Sequence, residues 1–129
     1  MSGDEIQLTL PADQAFHRVA HLVLGGLAVR LNLTFESLED LELALDALLE
    51  RAKKDEETVL RVQVLDGELH TIVGPFASVR GELEHGRAGA LTLSRILSAV
   101  CDSVEISDHD GSEWVKLTKR VETMEGAVG

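Results

Sequence analysis

The sequence predicts an α+β protein. It reads as a two-layer sandwich with a mixed, mostly antiparallel sheet, helices on one face, and the order β-α-α-β-β-loop-α-β-β. Three observations carry this. Residues 5–10, 58–65, 68–73, 103–108 and 113–119 alternate apolar and polar side chains, the period of a half-buried strand. Residues 14–31, 38–53 and 90–100 instead repeat apolar side chains at spacings of three and four. Strong turn signals, Asp66-Gly67 and the stretch HDGS, join the later strands into hairpins. Elements in this order bury their apolar faces by stacking helices on one side of a sheet.

Taken in order, EIQLTL sets Ile6, Leu8 and Leu10 against polar neighbours until Pro11 ends the strand. Asp13 then offers a carboxylate to the first amides of a helix over 14–31. Phe16, Val19, Val23, Leu27 and Leu31 make its expected buried face. Gly25-Gly26 interrupts that helix at a cost of roughly 1 kcal/mol per glycine relative to alanine, so close packing or a bend is expected there. Ser37 followed by Asp40 resembles a capping box and starts a second helix, 38–53. Leu38, Leu41, Leu45, Leu48, Leu49 and Ala52 form its main stripe. Leu43, Ala44 and Ala47 form a weaker one, as on a helix lying between a sheet and a pocket. TVLRVQVL points Leu60, Val62 and Val64 to one side, and ELHTIV is its return strand. Residues 74–89, rich in glycine, read as a long loop of the kind that is functional or mobile. A third helix, 90–100, turns Leu93, Ile96, Leu97 and Val100 inward before the final hairpin.

The 129 residues suit one domain with a core over about 5–119 and unpatterned ends. With three Phe, one Trp and no Tyr, the core is aliphatic, and stacking platforms for single-stranded nucleic acid are lacking. A net charge of −11 repels nucleic acid, and neither Lys53-Lys54 nor Lys119-Arg120 makes a basic patch. No apolar run is long enough to span a membrane, and the N-terminus is not a signal peptide, so a cytoplasmic location is expected. The single cysteine, Cys101, sits in an apolar run and reads as a small buried hydrophobe.

The chemistry-bearing residues form few constellations. His17 and His21 share a helix face, but a zinc site needs a third ligand and none is placed by the pattern. DHDGSE lacks the ligand set of a calcium loop. Ser94, Ser98 and Cys101 have no His–Asp partner at suggestive spacing, and no phosphate-binding glycine motif is present.

Three segments carry a more specific likeness: EIQLTLPAD with VAHLVLGGLAVRLNL, then LEDLELALDALLERA, then SRILSAVCDSVEI. Together they resemble the anti-sigma-factor serine kinases of the GHKL, or Bergerat-fold, ATPases over about residues 5–119. The second segment is similar to DLxLAVxEAxxNAxxHA and the third to GLxIIRxLxDEVEI. In that family a Glu acting as base and an Asn holding magnesium lie four residues apart on the second helix. The matching positions here are Ala47 and Arg51. Alanine accepts no proton, and a guanidinium only donates hydrogen bonds and repels a divalent cation. Shifting the match by one residue restores carboxylates, Asp46 and Glu50, but turns the leucine stripe by about 100° out of the core. The family's Asp-x-Gly-x-Gly, which reads adenine, corresponds to IVGPF, with Gly74 at the Asp position and Phe76 where Gly is expected. Gly81, Gly86 and Gly89 loosely match the lid, and amides around Gly86, Arg87 and Gly89 could cradle an anion.

The resemblance therefore implies a degenerate kinase: a non-catalytic regulatory module expected to need no cofactor. Its expected partner is a protein such as a sigma factor or an anti-sigma antagonist, with a homodimer also expected. By the same analogy Gly25, Gly26 and Arg30 on the first helix would serve pairing, while Arg30 also suits the negative end of the helix dipole. One alternative is an active, divergent serine/threonine kinase using ATP and magnesium through Asp46 and Glu50. Another is a binder of a small anion held by Arg51 and Arg87.

Overall fold

A computed structural model describes residues 5–11, 14–52, 56–84 and 93–120. Asp13, Lys53-Lys54, the lid residues Gly86, Arg87 and Gly89, and the termini lie outside the described residues. Strand β1 (Glu5–Leu10) leads through a 3-10 turn (Gln14–Phe16) into helix α1 (His17–Leu31), followed by α2 (Phe35–Leu49). The hairpin β2 (Thr58–Leu65) and β3 (Glu68–Phe76) comes next, then a short helix α3 (Arg80–Glu84). Helix α4 (Leu93–Val100) and the hairpin β4 (Ser103–His109) with β5 (Ser112–Arg120) complete the fold.

The five strands form one sheet in the order β1-β2-β3-β5-β4. Every neighbouring pair is antiparallel, so the expected mixed sheet is antiparallel throughout its described strands. Both hairpin turns are two residues long, Asp66-Gly67 and Asp110-Gly111, and all four residues have positive φ. That geometry matches the twist of the flanking strands, and glycine adopts it without a Cβ clash.

Register places Ile6, Val62, Thr71, Leu117 and Val104 across one another, and Leu8, Leu60, Val73 and Val115 in the next row. These rows face the helices and join one core with Leu24, Leu45, Leu48 and Leu97. Helix α2 packs against both α1 and α4. The members of its weaker apolar strip have different fates: Ala44 and Ala47 are buried, whereas Leu43 is exposed.

Several local expectations are corrected. Helix α2 begins at Phe35, not at residue 38, because the Thr34 hydroxyl, rather than the Ser37–Asp40 pair, accepts from the Ser37 amide. Helix α1 runs without interruption through Gly25-Gly26, and a Cβ at either would have no neighbour within 4 Å. Close packing is therefore not the reason for that pair. Of the expected face of α1, Leu27 is buried and Val19 packs partly against the core, but Phe16 is exposed, and the face centres on Ala20, Leu24, Leu27 and Ala28. The helix is apolar almost all round, and the alanine side allows the closer approach. The expected 74–89 loop contains the end of β3 and all of α3.

Candidate functional site

The stretch that resembles a nucleotide helix ends against α3. Ala47 is buried on α2. One turn on, Arg51 donates from Nη1 to the Ala47 carbonyl at 2.7 Å and from Nε to Glu82 Oε1 of α3 at 3.0 Å. Its Nη2 lies 2.9 Å from the same carboxylate oxygen. A guanidinium at a helix C-terminus satisfies an orphan carbonyl and complements the helix dipole, while its fork engages one carboxylate. Arg51 thus joins the end of α2 to α3, on the side where the resemblance places a base and a metal ligand.

The shifted register points elsewhere. Asp46 accepts from His21 Nε2 of α1 at 2.6 Å, and Glu42 lies 3.2 Å from His21 Nδ1. Glu50 shares a groove with His17, Arg18, His21 and Asp46. Both ring nitrogens of His21 are thereby engaged. Among the described residues no three His, Cys, Asp or Glu side chains converge to hold a metal.

The end of β3 is shaped by a bulge. Val73 pairs with Val115 and Phe76 with Glu113, so two residues of β3, Gly74 and Pro75, lie opposite one of β5, Trp114. The extra residue returns Phe76 to the inner face, where it is fully buried. Gly74 faces the opposite side of the sheet. A Cβ there would lie 2.6 Å from the Trp114 ring, so the indole itself demands glycine. The position matched to the adenine-reading Asp therefore points away from α2.

Beyond the bulge, Glu113 receives the start of α3. Its Oε1 accepts from the Arg80 amide at 2.9 Å and the Val79 amide at 2.6 Å. These two amides, with the Arg80 guanidinium nearby, hold the Glu113 carboxyl below the usual carboxylate range. Arg80 also donates to Asp108 of β4 at 2.8 Å. The start of α3 is thus fixed to the last hairpin. On the far side, Lys119 donates to the Val100 carbonyl at 2.9 Å and to Asp40 at 3.2 Å, closing the end of α4 onto α2. Burial pushes the neighbouring Cys101 thiol up to about 11, which keeps it protonated and unreactive.

The other candidate surface is α1. Leu22 and Val29 are 76% and 79% exposed, and Phe35 at the start of α2 is 71% exposed. Leu22, Gly25-Gly26 and Val29 lie within two turns of α1, and Arg30 is exposed in its last turn. Asn32, in the left-handed conformation, then ends the helix.

Sequence reasoning missed Glu82, Glu113 and Glu42, and it named Asp46 without its pairing to His21. Each is defined by a partner 21 or more positions away, and no local spacing signals such a partner.

No family model matches the chain, and no curated protein matches it in sequence. In structure it is similar to the RsbU and RsbW domains of Rv1364c from Mycobacterium tuberculosis, with a TM-score of 0.70 and 17% sequence identity. The match covers 93% of this chain and 32% of that one, so the chain spans about a third of its neighbour's length. The likeness establishes the fold: an open antiparallel sheet with helices on one face, consistent with the GHKL architecture.

Proposed function

We propose that the chain is a non-catalytic, protein-binding regulatory module of the anti-sigma type, acting in the cytoplasm without ATP. The observation that carries this reading is Arg51. It occupies the position matched to the magnesium-holding amide and is engaged with Glu82 and the Ala47 carbonyl. A magnesium–triphosphate would need a neutral acceptor there, and a fixed cation repels the metal. Buried Phe76 and the outward direction of Gly74 support the same reading, since neither offers adenine a carboxylate.

Asp46 and Glu50 lie on the α1 side of the helix, which disfavours the active-kinase alternative. The anion-binder alternative is disfavoured because Glu82 already neutralises Arg51. Isothermal titration of the full chain with magnesium and ATP should give no saturable heat. Micromolar affinity would overturn the proposal.

Function then rests on docking. The partner classes that fit are a sigma factor, an anti-sigma antagonist, or a second copy of the chain. Leu22, Val29 and Phe35 are large apolar side chains held in water, a pattern that marks interaction sites. An acidic chain steers toward basic partner surfaces. The fold neighbour, which contains an RsbW domain, adds associational support. The replacement Leu22→Asp with Val29→Asp should abolish self-association or partner capture while leaving the circular dichroism spectrum unchanged. Retained assembly would remove α1 from the interface.

A further inference from the structure

The sheet face turned away from the helices carries a groove of about 570 Å³. Its floor is the row Arg61, Ile72, Lys116 and Glu105, one residue from each of β2, β3, β5 and β4. Beside that row, Val59 pairs with Gly74, and the Trp114 indole lies against Gly74 where a Cβ would stand. We propose that this groove binds a planar aromatic monocarboxylate, with its ring on Trp114, Val59 and Ile72 and its carboxylate at Lys116.

The volume is that of a small-molecule site, within the roughly 300–1,000 Å³ such sites occupy. An indole laid against a strand offers a broad flat surface, and aromatic rings stack on one another in offset or edge-on geometry. The two cations differ in availability. Arg61 donates to Glu5 at 2.7 Å, whereas among the described residues no hydrogen bond or ion pair engages the Lys116 side chain. Lys116 is therefore the anion contact. Glu105, its cross-strand neighbour, sets a limit on charge and favours one carboxylate over a phosphate or dicarboxylate. The site lies on the opposite face from Ala47 and Arg51, so it stands or falls independently of the function proposed above.

A tryptophan over a glycine also packs two strands together without binding anything, and the experiment must separate these roles. The chain has one Trp, so a proton–nitrogen correlation spectrum contains a single indole cross-peak. The probes are 2-naphthoate and its uncharged analogue 2-naphthalenemethanol. Naphthoate should shift that cross-peak saturably. Lys116→Gln, which keeps most of the side-chain stem, should weaken naphthoate about fivefold and leave the alcohol unchanged, as expected for loss of one charge-assisted contact. Arg61→Gln should change naphthoate affinity by less than about twofold, because an exposed ion pair contributes little. An indole peak that does not move overturns the proposal. So does equal binding of acid and alcohol with no effect of Lys116→Gln, which would leave Trp114 a packing residue only. Each variant is confirmed as folded by its remaining amide peaks.

Discussion

The two faces of one sheet solve opposite problems with the same strands. On the inner face, Leu60, Leu69, Val73, Val115 and Leu117 are sealed beneath helices and essentially inaccessible to water. On the outer face, Arg61, Ile72 and Lys116 alternate with them along the same strands and stand in an open groove. Stability is therefore concentrated on one side, and the other side is open to recognition. The two faces also set one glycine and one threonine apart from their neighbours. Gly74 sits on the outer face because an indole occupies its side-chain space. Thr71 sits on the inner face among aliphatic side chains.

The largest effect expected is at Leu69, which is fully buried. Leu69→Ala should cost about 3 kcal/mol by lost burial and a residual cavity, measured by urea denaturation. The equivalent truncation on the outer face, Ile72→Ala, should cost only about 1 kcal/mol, because less apolar surface returns to water. Equal costs at the two sites would mean that the outer face is covered in solution.

Gly74→Ala comes next. The added methyl meets the body of the Trp114 ring rather than a flexible side-chain tip. Displacing the indole should cost about 2 kcal/mol and shift Trp114 fluorescence to longer wavelength. An unchanged emission maximum would show that the ring is not held where the fold places it.

A smaller change of opposite sign is expected at Thr71. Its Oγ1 is buried with no hydrogen-bond partner among the described residues. Replacing the hydroxyl by a methyl of similar shape removes a desolvated polar group. Thr71→Val should therefore stabilise the fold by about 1 kcal/mol in the same urea assay. A loss of stability would reveal a partner for the hydroxyl and break the picture of a dry inner face.

These positions also show what the sequence discloses. All five strands and both hairpin turns were legible, because alternation and Asp-Gly dipeptides act over a few residues. The leucine stripe of α2 was legible for the same reason. The face of α1 was legible only in part, at Leu27 and Val19, since an almost wholly apolar helix offers two stripes and tertiary packing chose the alanine side. The glycine-rich composition of 74–89 predicts a loop from residue 74 onward, yet the bulge lets β3 continue through Phe76. At the candidate site, Ala47 and Arg51 are singled out only by the family likeness and by nothing in their local spacing. Their surroundings are not legible, because Glu82 meets Arg51 across 31 positions and Trp114 meets Gly74 across a sheet.

The two faces meet at a rim beside the β3 bulge. Glu113 pairs with Phe76 across the bulge, and its side chain is 17% exposed. Two backbone amides at the start of α3 favour its charged form, so its carboxyl is more acidic folded than unfolded. Between those two values the unfolded chain binds more protons, and stability rises with pH. The contribution is therefore complete above the ordinary carboxylate range and is lost as pH falls through the lowered folded value. Glu113→Gln cannot carry the charge at any pH. The variant should be less stable than the parent at neutral pH, and the gap should narrow steadily on acidification. Urea midpoints measured from neutral to acidic pH check this. A gap that stays constant into acid would mean that the Val79 and Arg80 amides accept a neutral carbonyl oxygen as readily as a carboxylate, and that charge does not hold α3 to the last hairpin.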